Sequence, residues 1–317
     1  MDGVLVIDKP AGMSSANAVE QVRRGLGIRR AGHGGTLDPI ATGVLPICVG
    51  AGTKLAQFLL ADDKAYEAEG LLGIQTDTLD RTGRVVDERA VDVSRDALVA
   101  ALAAHVGTQA QIPPMYSAIK QGGVRLYHRA RAGEEVVREP RTIRIDRLEL
   151  LAFEPPRFRI AVACSKGTYI RSLVADLGNT VAAGAHLTEL RRTRSGRFTL
   201  DQAVTLDRLA DATLIPPAQA TGLPAVTVLP ALIPQVFNGI QLPFSAFSSS
   251  GVAPRSRPPL ALRGSDPDLR DAPEASGADS FDRFQFQLLD EAGTLIAVAH
   301  LEAGRTIYDR VFPELTR

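Results

Sequence analysis

Strand-like segments in this chain outnumber helical ones and do not alternate with them, and that ordering constrains the fold more than any other feature. Residues 4–7 form a short apolar run ending at Asp8-Lys9-Pro10-Ala11-Gly12, which reads as a strand entering a turn. Residues 43–50 read as a buried strand, with Pro46 at an edge or bulge. Residues 64–73, 143–153, 157–165 and 184–190 supply further strands. The helical signals are fewer. Ser14 or Ser15 caps a helix running through Val19 and Val22 and closing near Gly25 and Gly27. Residues 53–60 and 169–177 are helical, and Ser94 is the N-cap of an Ala/Leu-rich helix reaching 106. A doubly wound parallel sheet would need regular alternation of strand and helix, so the class expected is α+β.

Residues 31–38 read as a loop. So does the Pro-, Gly- and Arg-rich stretch 111–141, with a short helix inside it. Composition shifts after Leu209, where Pro216, Pro217, Pro224 and Pro230 punctuate a linker-like segment. Residues 245–280 are dense in Ser, Pro, Asp and Arg, as in a poorly ordered loop. A strand over 281–289, a turn at Asp290-Glu291-Ala292-Gly293 and a second strand over 294–301 make a small β-rich module from about Ala225 onward. The expected domains are thus 1–224 and 225–317.

With 317 residues the chain has room for two domains, and 36 Lys+Arg against 36 Asp+Glu leave net charge silent about a nucleic-acid partner. Cys48 and Cys164 stand far apart, and neither has a second Cys or a His at metal-ligand spacing. Neither a metal site nor a disulfide is expected, which fits a reducing compartment. The N-terminus lacks the basic-then-apolar order of a signal peptide. No apolar run is long enough to span a bilayer. The expectation is a cytoplasmic protein.

The densest signal is Gly32-His33-Gly34-Gly35-Thr36-Leu37-Asp38-Pro39-Ile40-Ala41-Thr42-Gly43. Its glycines permit positive φ and a close approach of backbone to ligand. A single carboxylate fixed by such a loop can act as nucleophile or base. Asp38 before Pro39 also has the form of a helix N-cap or turn, the commoner use of an Asp-Pro pair. The loop lacks the Gly-Lys-Ser/Thr ending of a phosphate-binding P-loop.

The segment from Gly34 to Leu45 resembles the catalytic-loop motif of the TruB family, the bacterial tRNA pseudouridine-55 synthases. Other motifs match in order. They are Asp8-Lys9-Pro10-Ala11-Gly12-Met13-Ser14-Ser15, Lys64-Ala65-Tyr66-Glu67 and Gly73-Ile74-Gln75-Thr76-Asp77-Thr78-Leu79-Asp80. Further along come Pro113-Pro114-Met115-Tyr116-Ser117-Ala118-Ile119-Lys120 with Leu126-Tyr127, then Lys166-Gly167-Thr168-Tyr169-Ile170-Arg171-Ser172-Leu173. Gly184-Ala185-His186-Leu187-Thr188-Glu189-Leu190-Arg191-Arg192 completes the set. The match is collinear over roughly residues 4 to 200.

The resemblance implies a mixed, mainly antiparallel central sheet, an RNA-gripping insertion at about 111–142 and a PUA-like C-terminal β-domain. It implies a reaction without metal or organic cofactor. The bond from C1′ to N1 of a uridine breaks, the base rotates, and it rejoins the sugar through C5. Asp38 is implied as the attacking carboxylate. Addition to C1′, addition to C6 and removal of a ribose proton all remain open for its first step. Arg171 is implied to pair with Asp38, complementing its charge bidentately. Tyr66 stacks on the target base and serves as a late general base at C5. Tyr169 and Leu190 line the base pocket, and His33 fills the gap left by the flipped base. Lys64 and Asp80 are polar positions near the site, and Lys9 serves to position the fold.

Eight Lys/Arg stand between Arg157 and Arg197 against two acids, Asp176 and Glu189, a local footprint suited to RNA phosphates. The partner implied is the T arm of tRNA, and a monomer is expected. Two alternatives are a tRNA-binding or tRNA-folding protein in which catalysis is secondary, and a synthase aimed at another RNA.

Overall fold

The computed structural model describes residues 1–117, 136–247 and 284–316, with backbone alone at 120–121 and 124–125. The chain order of its strands is β1 (Gly3–Lys9), β2 (Ala31–His33), β3 (Thr42–Val49), β4 (Lys64–Leu72), β5 (Ile74–Thr76), β6 (Val85–Glu88), β7 (Gly107–Gln111), β8 (Lys120–Gln121), β9 (Val124–Arg125), β10 (Arg141–Glu154), β11 (Arg157–Cys164), β12 (Ala185–Ser195), β13 (Phe198–Thr199), β14 (Ala225–Thr227), β15 (Gln285–Leu289), β16 (Leu295–Glu302) and β17 (Arg305–Val311). The helices used below are α1 (Ser15–Gly25), α2 (Ala56–Leu60), α3 (Arg95–Ala104) and α4 (Ile170–Thr180). The expected α+β class is the one found.

A nine-stranded sheet runs β1-β3-β12-β4-β11-β10-β7, with β2 on β3 and β13 on β12. β4 is antiparallel to both β12 and β11, β10 is antiparallel to β11 and β7, and β12 runs parallel to β3. The sheet is therefore mixed and mainly antiparallel. Its central strands bury residues on both faces, and β12 reads buried at Ala185, His186, Leu187, Thr188, Leu190, Arg192 and Ser195.

The helices form where local chemistry supports them. Ser14 caps α1, its Oγ accepting from Asn17 N at 3.1 Å, while Ala18, Val19 and Val22 turn inward. Glu20 pairs with Arg23 and Arg24 at helical spacing. Ser94 caps α3 in the same way and buries Leu98, Ala101 and Leu102. These faces join Leu45, Ile47, Leu72, Phe158, Leu173, Val174 and Leu187 in one core.

Residues 31–38, expected as loop throughout, begin with β2, which pairs Ala31, Gly32 and His33 antiparallel to Val49, Cys48 and Ile47. The pairs Arg141↔Gln111 and Thr142↔Ala110 close the base of the insertion between β7 and β10. Inside it, residues 118–135 lie outside the described residues except for the backbone of the β8–β9 pair. The short helix expected there and the Leu126-Tyr127 part of the insertion motif fall on that segment. Residues 248–283, most of the loop expected at 245–280, are also outside it.

The chain divides into a compact unit of Leu5–Leu214 and a second of Ile215–Arg317 with Met1–Val4. In the second unit β14-β15-β16-β17 form a four-stranded sheet, with β14 parallel to β15 and the rest antiparallel. Its core gathers Val226, Val236, Phe286, Leu288, Ile296 and Ala299, with Phe244 edge-on to Phe286 at 5.4 Å.

Candidate active site

The loop after β2 is fastened at nearly every residue. Gly34 N donates to Pro46 O at 2.8 Å. The buried Ser15 Oγ, at the start of α1, accepts from Leu37 N at 2.8 Å and donates to Leu37 O at 3.0 Å. Leu37 itself enters the core. Gly12 N donates to Pro39 O at 2.8 Å, and Ala41 N donates to Asp38 O at 3.0 Å. Asp38-Pro39-Ile40-Ala41 is therefore a tight turn with Pro at its second position, not a helix start. With its backbone held on both sides, Asp38 keeps a side chain about one-third exposed (34%).

Arg171, in the first turn of α4, is 4% exposed and reaches that carboxylate, its Nε donating to Asp38 Oδ2 at 2.8 Å. Its Nη1 donates to Thr78 O at 3.0 Å and its Nη2 to Tyr116 O at 2.8 Å. Asp80 Oδ2 lies 3.8 Å from Nη1. The buried Asp80 carboxylate is itself fixed, Oδ1 accepting from Thr78 Oγ1, Thr82 N and Thr82 Oγ1 at 2.6–2.9 Å. A planar guanidinium held at three of its nitrogens has one orientation, and it transmits that orientation to Asp38.

Tyr66 lies on β4 between Val162 of β11 and Arg192 of β12. Burial pushes its hydroxyl up to about 12, opposed by the nearby Arg192 guanidinium, while Cys164 and Asp38 push it further up. Tyr169 precedes α4 and is locked by Gln111, whose Oε1 accepts from Tyr169 N at 2.8 Å and whose Nε2 donates to Tyr169 O at 3.1 Å. Burial raises its hydroxyl above the ordinary tyrosine value, and it senses Asp38 and Arg171. Leu190 is buried on β12 and lines a cleft of about 230 Å³ with Ala11, Ile40, Thr42, Glu67 and Arg191. Asp38, Arg171, Asp80, Tyr66 and Tyr169 thus share one neighbourhood.

Lys64, another of the expected site residues, has its ammonium engaged by backbone carbonyls. Lys64 is buried, and its Nζ donates to Leu60 O at 3.0 Å, to Leu59 O at 3.4 Å and to Asp62 O, so it caps the end of α2. Burial pushes its ammonium down to about 8. His33 is half-buried on β2, and its pKa is lowered first by burial and then by Arg192. Its Nδ1 has no hydrogen-bond partner among the described residues.

Two buried cations brace the loop. Lys9 is fully buried and donates to Pro10 O and Met13 O at 2.8 Å and to Pro39 O at 3.5 Å. Burial pushes it down to about 8, with Asp38 opposing that shift. Arg192 is 1% exposed and donates to Val44 O at 2.7 Å and to Thr36 O and Gly35 O at 3.2 Å. Sequence reasoning left Arg192 inside a run of basic residues. The available signal was the Arg191-Arg192 pair, since adjacent strand residues face opposite sides of a sheet.

The expected basic footprint is also modified. Arg157 pairs with Glu69 at 2.6 Å and Arg159 with Glu67 at 3.4 Å, while Arg191 reaches both oxygens of Asp8 at 2.7 and 3.1 Å. Acids from β4 and β1 stand among these arginines, and Arg171 and Arg192 are buried.

Comparison with known proteins decides the family. The pattern described as TruB family pseudouridylate synthase (N terminal domain) matches residues 23–170, and that of the tRNA pseudouridylate synthase B C-terminal domain matches 171–230. The chain is 54% identical over 209 residues to the tRNA pseudouridine synthase B of Pseudomonas paraeruginosa, covering 66% of this chain and 69% of that protein. The chain belongs to the TruB family of pseudouridylate synthases. The tRNA pseudouridine synthase B of Symbiobacterium thermophilum is 51% identical over 247 residues, 76% of this chain and 83% of that protein. Among solved structures, the fold resembles one chain of a Cbf5-Nop10-Gar1 complex with a TM-score of 0.69 and 25% identity, over 98% of this chain and 84% of that one. An H/ACA RNP bound to a substrate RNA containing 2′-deoxyuridine gives 0.67 at 24% identity, over the same shares of the two chains, and shares the fold. Among the described residues, no helix is long and apolar enough to cross a membrane.

Proposed function

We propose that this chain isomerises uridine 55 in the T loop of tRNA to pseudouridine, extruding the base and using Asp38 as the nucleophile. The observation that carries the reading is the Asp38–Arg171 pair at 2.8 Å, a partly exposed carboxylate aimed by a buried guanidinium. The tRNA substrate is supported by relatives of 51–54% identity named tRNA pseudouridine synthase B, against 25% for the Cbf5 complex.

In this reading Arg171 orients Asp38 so that Oδ1, the oxygen it does not hold, meets the nucleotide. Asp80 keeps Arg171 in plane. Tyr66 and Tyr169 sandwich the extruded base, and the apolar Leu190 closes its pocket. Tyr66 removes the C5 proton at the end. His33, kept neutral by burial, fills the gap in the stacked loop without a charge to desolvate. No residue of the site is assigned to a metal or organic cofactor. Residues 225–317 form a PUA-like RNA-binding domain, the insertion at 111–142 grips the T arm, and the enzyme acts as a cytoplasmic monomer. Lys64 stands behind the site, where its ammonium supports β4 beneath Tyr66.

Asp38→Asn tests the chemistry. Pseudouridine formation in tRNA transcripts should vanish while tRNA affinity stays within about threefold, and turnover near wild type would exclude Asp38 as the nucleophile. Removing residues 225–317 should weaken tRNA binding more than the single-turnover rate, and unchanged affinity would refute an RNA-binding role for that domain. Mapping pseudouridine in cells that lack the protein should show the loss at tRNA position 55. A loss confined to another RNA would redirect the substrate assignment.

A further inference from the structure

Arg192 carries a full charge into the interior, yet its hydrogen-bond acceptors among the described residues are the carbonyls of Gly35, Thr36 and Val44. A buried cation without a carboxylate is expensive unless a negative charge appears beside it at some stage. The loop carbonyls alone could be satisfied by neutral donors. The Tyr66 hydroxyl is a neighbour that can become anionic, and Arg192 favours that ionisation. Tyr66 and Arg192 are directly opposed across the β4–β12 ladder, so both side chains leave the sheet on the same face.

We propose that Arg192 is a positioning residue for pseudouridylation, serving as the counter-cation of the Tyr66 phenolate while its other nitrogens hold the Gly35–Thr36 segment that leads to Asp38. The proposal rests on the reading of Tyr66 as the base at C5. A neutral phenol cannot accept a proton, so Tyr66 must first release its own to solvent. The phenolate oxygen then takes the proton from C5, and the C5–H electron pair restores the C5=C6 double bond. N1, which has lost the sugar, takes a proton from solvent, so the isomerisation leaves the proton balance unchanged. Burial opposes the phenolate, and so do the other groups sensed there, Asp38 from the loop and Cys164 from β11. Arg192 alone favours it. The same guanidinium disfavours protonation at His33, Lys9 and Lys64.

The test places 3,5-difluorotyrosine, whose hydroxyl titrates near neutrality, at all five tyrosines and follows each by ¹⁹F NMR. Tyr66→Phe assigns the resonance. In Arg192→Gln the Tyr66 titration should rise by about one pH unit, a tenfold loss of phenolate at fixed pH. Arg192→Lys, which keeps the charge but loses the fork, should give a smaller rise, and it carries the measurement if the glutamine variant does not fold. The single-turnover rate of unlabelled Arg192→Gln should fall about tenfold, recover partly at higher pH, and leave tRNA affinity within threefold. An unmoved Tyr66 titration in either folded variant overturns the proposal even if Tyr66→Phe is inactive. A Tyr66→Phe enzyme with wild-type single-turnover rate overturns instead the underlying assignment of Tyr66 as the base, and the role of Arg192 falls with it.

Discussion

Replacing Arg171 with lysine separates charge from geometry at the centre of the site. The guanidinium makes three hydrogen bonds, to Asp38 Oδ2, Thr78 O and Tyr116 O, each between 2.8 and 3.0 Å. A lysine ammonium retains the charge but cannot direct donors along all three vectors. With charge-assisted bonds contributing about 1.5–3 kcal/mol each, the loss of two should destabilise the fold by about 3–6 kcal/mol. If the surviving contact goes to a carbonyl rather than to Asp38, the nucleophile loses its aim. An orientation penalty of about 2 kcal/mol in the transition state corresponds to a roughly 30-fold lower single-turnover rate. Rapid-quench measurement of pseudouridine formation, filter binding of tRNA and urea melts give the three quantities separately. A rate within threefold of wild type, or an affinity that falls as much as the rate, would show that Arg171 acts as a phosphate contact and not through Asp38.

Two further perturbations probe the scaffold. Gly43 has φ +101° and pairs with Arg192 in the β3–β12 ladder, and a Cβ there would sit 2.2 Å from Arg192 O. Gly43→Ala should therefore destabilise the protein by about 3 kcal/mol or more in urea melts, and an unchanged midpoint would contradict that close approach. The second concerns pH. Lys64 is lowered to about 8 from 10.5, so between those values the unfolded chain binds more protons than the folded one, and stability rises with pH. From pH 7.5 to 9.5 the wild type should gain about 2 kcal/mol relative to Lys64→Met, and a relative loss over that range would refute the buried, carbonyl-held ammonium.

The features legible in the sequence were those with local causes. Ser14 and Ser94 announce their helices because a hydroxyl before an amphipathic run has one good use there, and β3, β10, β11 and β12 follow from apolar runs and alternation. β2 was hidden because Gly32 and the following Gly34-Gly35 erase the side-chain pattern, and only its pairing with Cys48 and Ile47 defines it. At the site, the motif residues pointed to Asp38 and Arg171, but the turn geometry of Asp38-Pro39 looks like a cap until Ala41 closes it. The burial of Lys9 and Arg192 could not be read locally. Charged residues belong to the surface by default, and what receives these two inside is a set of carbonyls, from the following turn and Pro39 for Lys9 and from the distant catalytic loop and β3 for Arg192.

The fastening of the catalytic loop also sets when the protein can begin to work. Asp38 is held through Ser15, 22 residues from Leu37, but also through Arg171, 133 residues away, and the loop before it through Arg192, 156 residues from Thr36. During synthesis the loop leaves the ribosome long before β12, which must slide in between β3 and β4 to complete the brace. At 5–20 residues per second that wait is on the order of ten seconds. Joining such distant segments is entropically slow. A nascent chain truncated before β12 would therefore carry the nucleophile and its Arg171 partner but lack the Arg192 brace on the loop that leads to Asp38.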